Sequence, residues 1–145
     1  MKPFKLEAVL DHKKRAEHMA QKELLASMEA REGIAGMKAL EESEIERLCH
    51  ELGDAKTNEV LVSDLILYEL CIRGKREQVR ALEQKLRESD AGIRRKERQL
   101  VQARQEKRAL EIVRDNRERQ EAEKQKHLEN LFLDELAIFG HGGVK

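Results

Sequence analysis

Residues 61–110 read LVSDLILYELCIRGKREQVRALEQKLRESDAGIRRKERQLVQARQEKRAL, and the spacing of their apolar side chains decides the fold class. Alternating steps of four and three from Leu61 reach Leu65, Tyr68, Ile72, Lys75, Val79, Leu82, Leu86, Ser89, Ile93, Lys96, Leu100, Ala103, Lys107 and Leu110. Eleven of these fifteen positions are apolar. A period of 3.5 residues held this long predicts a left-handed supercoil with a partner helix. The pattern passes Gly74 in phase, so Gly74 reads as helix interior and not as a turn.

The composition fits helices of this kind and little else. Charged residues make up 40% of the 145 and aromatics 3%, Trp is absent, and the one proline is Pro3. Such a chain cannot build a thick globular core, and its Glu, Lys, Arg, Leu and Ala content is that of long helices. Twenty-nine basic and twenty-nine acidic residues cancel. No net field therefore draws the protein to nucleic acid or anionic lipid, and partners have to be recognised locally. No span approaches the roughly 20 apolar residues of a membrane helix. The N-terminal stretch carries no cleavage pattern, so a cytoplasmic protein with reduced Cys49 and Cys71 is expected.

The first half repeats the spacing more faintly, through Leu6, Leu10, Ala20, Leu24, Ile34, Ile45, Leu48 and Leu52. Gly33 and Gly36 soften this helix without ending it. Between the halves, ELGDAKTNE offers Gly53 as a C-terminal cap and Thr57 or Asn58 as an N-cap, with Glu59 in the first turn. The expected architecture is all-α: a single coiled-coil domain over 1–145, with two long helices in an antiparallel hairpin. Helix one covers about 4–52, the turn about 53–58, helix two about 58–139, and a flexible tail follows over 140–145. Folding about that turn brings together residues whose numbers total about 111. The N-terminus then runs out near residue 105, and the second helix overhangs. Past Leu110 the seam positions become Arg114, Arg117, Glu121 and Lys124, as a solvated single helix requires.

Two stretches are too apolar for this scheme. Val60–Ile72, VLVSDLILYELCI, is apolar at ten of thirteen positions, whereas a two-stranded seam needs two in seven. Leu61, Leu65, Tyr68 and Ile72 belong to the seam, and Val62, Ile66 and Leu70 are surplus. The second stretch, LENLFLDELAIF over 128–139, sets Leu128, Phe132, Leu136 and Phe139 on one face, with Leu131 and Leu133 beside it. In the hairpin one stretch lies just past the turn and the other at the free tip.

Catalytic, cofactor and metal constellations are missing from the sequence. The five histidines are scattered, none at metal-site spacing with cysteines or carboxylates, and no glycine-rich phosphate loop occurs. Cys49 next to His50 lacks a pocket that could make it a catalytic thiol. In the expected register Cys49 faces about residue 62 and Cys71 about residue 40, so they do not bridge. Eight Lys and Arg between Arg104 and Lys126 alternate with six acids and no aromatic ring, which is poor equipment for nucleic acid. A non-enzymatic interaction protein is expected.

Three segments carry a resemblance to a known family. They are FKLEAVLDHKKRAEHMAQKEL at the start, VRALEQKLRESD and KRALEIVRDNRERQ in the second helix, and EAEKQKHLENLFLDELA near the end. With Phe4, Leu6, Val9, Leu10, Ala20, Gln21 and Leu24, then Lys124, Asp134, Glu135 and Ala137, the chain resembles the FliJ family of flagellar export proteins. The resemblance implies a stalk-like coiled coil, monomeric when isolated, that inserts the end bearing both termini into a hexameric export ATPase. It also implies contact with the cytoplasmic domain of the export gate, a part in coupling energy to export, and escort of substrate chaperones. On this reading Leu128, Leu131, Phe132, Asp134, Leu136 and Phe139 meet the ATPase. Val62, Ile66, Leu70, Ile72 and Val79 meet the gate, with family contacts falling near the last two. The protein would reach the cytoplasmic face of the inner membrane only through these partners. Two other readings use the same residues: a structural coiled coil that dimerises through its seams, and the stalk of a virulence type III secretion system.

Overall fold

A computed structural model of the chain describes residues 6–142, with side chains as far as Gly140. It has two helices, α1 (Glu7–Thr57) and α2 (Val62–Gly142), of 51 and 81 residues. They form the expected antiparallel hairpin, with the second helix the longer. The proposed helical residues Phe4 and Lys5 and the last residues of the expected tail, 143–145, lie outside the described part. Gly140 to Gly142 are helical, so the glycines there do not end α2 after Phe139.

The turn lies later than expected. Gly53 sits inside α1, and none of the described glycines has a positive φ. Its place in the helix follows from its neighbours: Leu52 and Ala55 continue the seam spacing and are both half-buried. Ending the helix at Gly53 would forfeit that last buried turn, against a helix penalty for glycine of about 1 kcal/mol. α1 closes instead with the Thr57 hydroxyl donating to the Asp54 carbonyl at 2.7 Å and Asn58 N–H to Ala55 O at 3.3 Å. Residues 58–61 make the link, α2 begins at Val62, and its first-turn acid is Asp64 in place of Glu59. Neither Thr57 nor Asn58 therefore caps α2.

The chain divides into two compact units, Met19–Val101 and a second made of Met1–His18 with Gln102–Lys145. In Met19–Val101 the seam is the one predicted from spacing. Ile72, Val79, Ile93 and Leu100 of α2 are buried, and Leu65, Tyr68, Leu82 and Leu86 are half-buried. Opposite them, Ala20, Leu24, Ile34, Ile45, Leu48 and Leu52 of α1 are also half-buried. The gaps in α1's apolar pattern are filled by Ser27, Arg31, Lys38 and Glu41, which occupy seam positions themselves.

Each of those charges meets an opposite charge on the other helix. Arg31 pairs with Asp90, Lys38 with Glu83 at 3.8 Å, and Lys75 with Glu41 at 3.1 Å. Lys96 reaches Glu23 at 2.8 Å. Their alkyl stems lie along the seam and their heads reach its edge, where exposed pairs contribute about 0–1 kcal/mol. Their larger effect is on register, since each pair exists at one alignment only. Lys96 with Glu23 and Tyr68 with Glu51 each total 119 in residue number, about one helical turn per strand beyond the expected 111. Moving the turn from about 53–58 to residues 58–61 accounts for the shift.

Candidate protein-docking surfaces

In Met19–Val101 the residues after the turn separate into two sets. Ile72 and Val79, expected at the gate surface, are seam residues with 6% and 9% of their surface exposed. They hold the two helices together and offer little to a partner. Val62, Ile66 and Leu70 are exposed, Val62 at 71%. Leu61 is also 71% exposed, because it precedes the first turn of α2 and cannot reach the seam. Val60 and Leu67 join them. Positions 62, 66, 67 and 70 cover the half of the helix away from α1, as the 100° step per residue dictates. The result is a contiguous apolar cap on the outer side of α2. Sequence reasoning passed over Leu67, although the run itself contained it.

Flanking that cap is a shallow groove lined by Leu48, Ala55, Val60, Leu67, Tyr68 and Cys71. On the other flank Cys49 lines a more polar groove with Leu52, Glu69, Ile72, Arg73 and Arg76. Cys49 and Cys71 are both exposed and unbridged. The residues each was expected to face were misplaced by the same register shift, but the separation onto opposite flanks keeps them apart.

In the second unit, the start of α1 packs on α2 around Ala103 to Leu110. Leu10 is fully buried there, and Leu6, Ala103 and Leu110 are half-buried beside it. So small an apolar contact is supplemented by charge. Lys13 donates to Glu106 at 2.8 Å, and Glu17 accepts from Arg104 at 3.2 Å and pairs with Lys107. Lys107 and, less strongly, Arg104 hold the Glu17 carboxyl below its ordinary pKa against the opposing effect of partial burial. Lys13, then Gln102, does the same for Glu106.

Beyond Arg114 the helix has no apolar support. Every residue from 115 to 140 is exposed, including Leu128, Leu131, Phe132, Asp134, Leu136 and Phe139, with Phe139 at 80%. Half-burial continues along α2 to Arg114, past the limit near 105 expected from the earlier turn. Among the described residues no helix is long and apolar enough to cross a membrane, and no three His, Cys, Asp or Glu gather where they could hold a metal.

A model of the flagellar FliJ protein family matches residues 1–143. The chain belongs to the FliJ family. It is a non-catalytic family of flagellar protein export, and flagellum biogenesis is therefore the process in which this hairpin belongs. No curated protein and no solved structure matches the chain. Of the residues that carried the resemblance, Leu10, Leu6, Ala20, Gln21 and Leu24 are buried or half-buried helix-pairing residues. Lys124, Asp134, Glu135 and Ala137 lie on the exposed end of α2. Phe4 lies outside the described residues. The FliJ likeness thus draws on both the packed and the unpaired parts of the sequence.

Proposed function

We propose that this protein is a non-enzymatic, stalk-like component of the flagellar export apparatus that docks the free end of α2 into the hexameric export ATPase. The observation that carries this reading is the unsupported apolar segment 128–139. A solvated helix has no use for Leu128, Leu131, Phe132, Leu136 and Phe139 on one short stretch, and exposed apolar patches of this kind mark interaction sites. Val62, Ile66 and Leu70 form the second docking surface, for the cytoplasmic domain of the export gate. Ile72 and Val79 support that surface from within the seam. Contact with both partners places the protein in the cytoplasm at the inner membrane and lets it couple energy to export. Escort of substrate chaperones belongs to the same reading.

Removal of residues 128–145 is the direct test of ATPase docking. The truncated chain keeps the helicity of its paired segments and loses ATPase binding; retention of normal binding would refute the assignment. Ile66→Ala with Leu70→Ala tests the gate surface, where the expected outcome is lost gate binding at an unchanged melting temperature.

A further inference from the structure

The charges around the free end of α2 specify the chemistry of the groove that receives it. This inference rests on the docking reading above. Between His127 and Gly140 the chain has Glu129, Asp134 and Glu135 and neither Lys nor Arg. Among the described residues none of these three acids has an ion pair or a side-chain hydrogen bond, although carboxylates of the paired segments repeatedly do. At 100° per residue, Leu128, Phe132, Leu136 and Phe139 make one stripe, with Glu135 and Glu129 lying roughly 60° to either side. Asp134 and Asn130 fall on the far face. The end of α2 is therefore an apolar stripe with one acid on each flank, inside a wider apolar surface that Leu131 and Ile138 continue past Glu135 and Leu133 continues past Glu129.

Those acids discriminate between occupants. A second copy pairing antiparallel through the same stripe sets the two Glu135 side chains close together, and parallel pairing puts Glu129 and Glu135 on facing edges about 9 Å apart along the axis, so like charges oppose the dimer. An anionic bilayer repels the same edges. A protein groove with an apolar floor and Lys or Arg on both rims, opposite Glu129 and Glu135, satisfies the stripe and both acids together. We infer that α2 docks through residues 128–139 into such a basic-rimmed apolar groove, with Glu129 and Glu135 steering its entry and fixing its rotation.

The test measures association of the full chain with purified flagellar export ATPase hexamer at low and high salt. The wild type is compared with E129Q/E135Q and with F132A/F139A, all of matched helicity. The expected result is that E129Q/E135Q associates about tenfold more slowly at low salt, with a flattened salt dependence, while F132A/F139A loses binding. If F132A/F139A loses binding but E129Q/E135Q keeps the wild-type rate and salt dependence, the basic rim is overturned and docking by the tip survives. If all three bind alike, tip docking itself fails and the inference falls with it.

Discussion

Glu17 of α1 lies between Arg104 and Lys107 of α2, paired with both, and its side chain is only 14% exposed. It is a carboxylate at a position where a coiled-coil seam ordinarily carries an apolar residue. Leu10 is the one fully buried side chain near it, so charge contributes much of the specificity with which this end of α1 finds α2.

Acid should therefore loosen this contact first. Folding favours the ionised form of Glu17, whose pKa lies below the ordinary 4.5. Its contribution is complete above that value and is lost as pH falls through the lowered folded pKa. Glu106 behaves in the same direction. Melting followed by circular dichroism from about pH 6 to about pH 3 should show a decline that E17Q makes shallower. An identical decline in both proteins would assign the acid sensitivity elsewhere.

Ile72 and Ile66 stand about one and two-thirds turns apart and should respond differently. Ile72→Ala empties a buried seam position and should cost about 2–4 kcal/mol in urea unfolding. Ile66→Ala removes an exposed side chain and should change stability by no more than about 0.5 kcal/mol. Comparable losses from the two would mean that the outer face of α2 is covered.

Gly53→Ala distinguishes helix from turn. A Cβ at Gly53 meets nothing within 4 Å, and the position is helical. Alanine should raise stability by about 0.5–1 kcal/mol. A left-handed capping glycine would respond with a loss. Gly74→Ala, with the same open surroundings inside α2, should match the gain.

Cys49 and Cys71 should both react with an alkylating reagent in the folded protein, since both are exposed. Mild oxidation of dilute protein should produce no bond between them, because they line different grooves on opposite flanks. Peptide mapping without reductant checks this, and an intramolecular bridge would contradict the flank assignment.

Periodicity was enough to identify two long helices and the seam from Leu65 to Leu110, because a 3.5-residue repeat without helix breakers has few other uses, and the presence of a short turn signal between them made the pairing antiparallel. The unpaired end of α2 was legible for a related reason: its seam positions turn charged. The turn's position was not. Gly53 and Thr57 are good local signals, but the burial of Leu52 and Ala55 against the second helix outweighs a glycine's preference, and only the packed pair contains that energy. The roles of Glu17, Arg31, Lys38 and Glu41 were likewise hidden. As single residues they interrupt the apolar pattern of α1, and they become seam residues only when Arg104, Lys107, Asp90, Glu83 and Lys75 are brought across from α2. The division of Val60–Ile72 into buried seam and exposed outer face was decided the same way. An apolar side chain has the same character in either role, and which one it fills depends on the side of the helix where the partner lies.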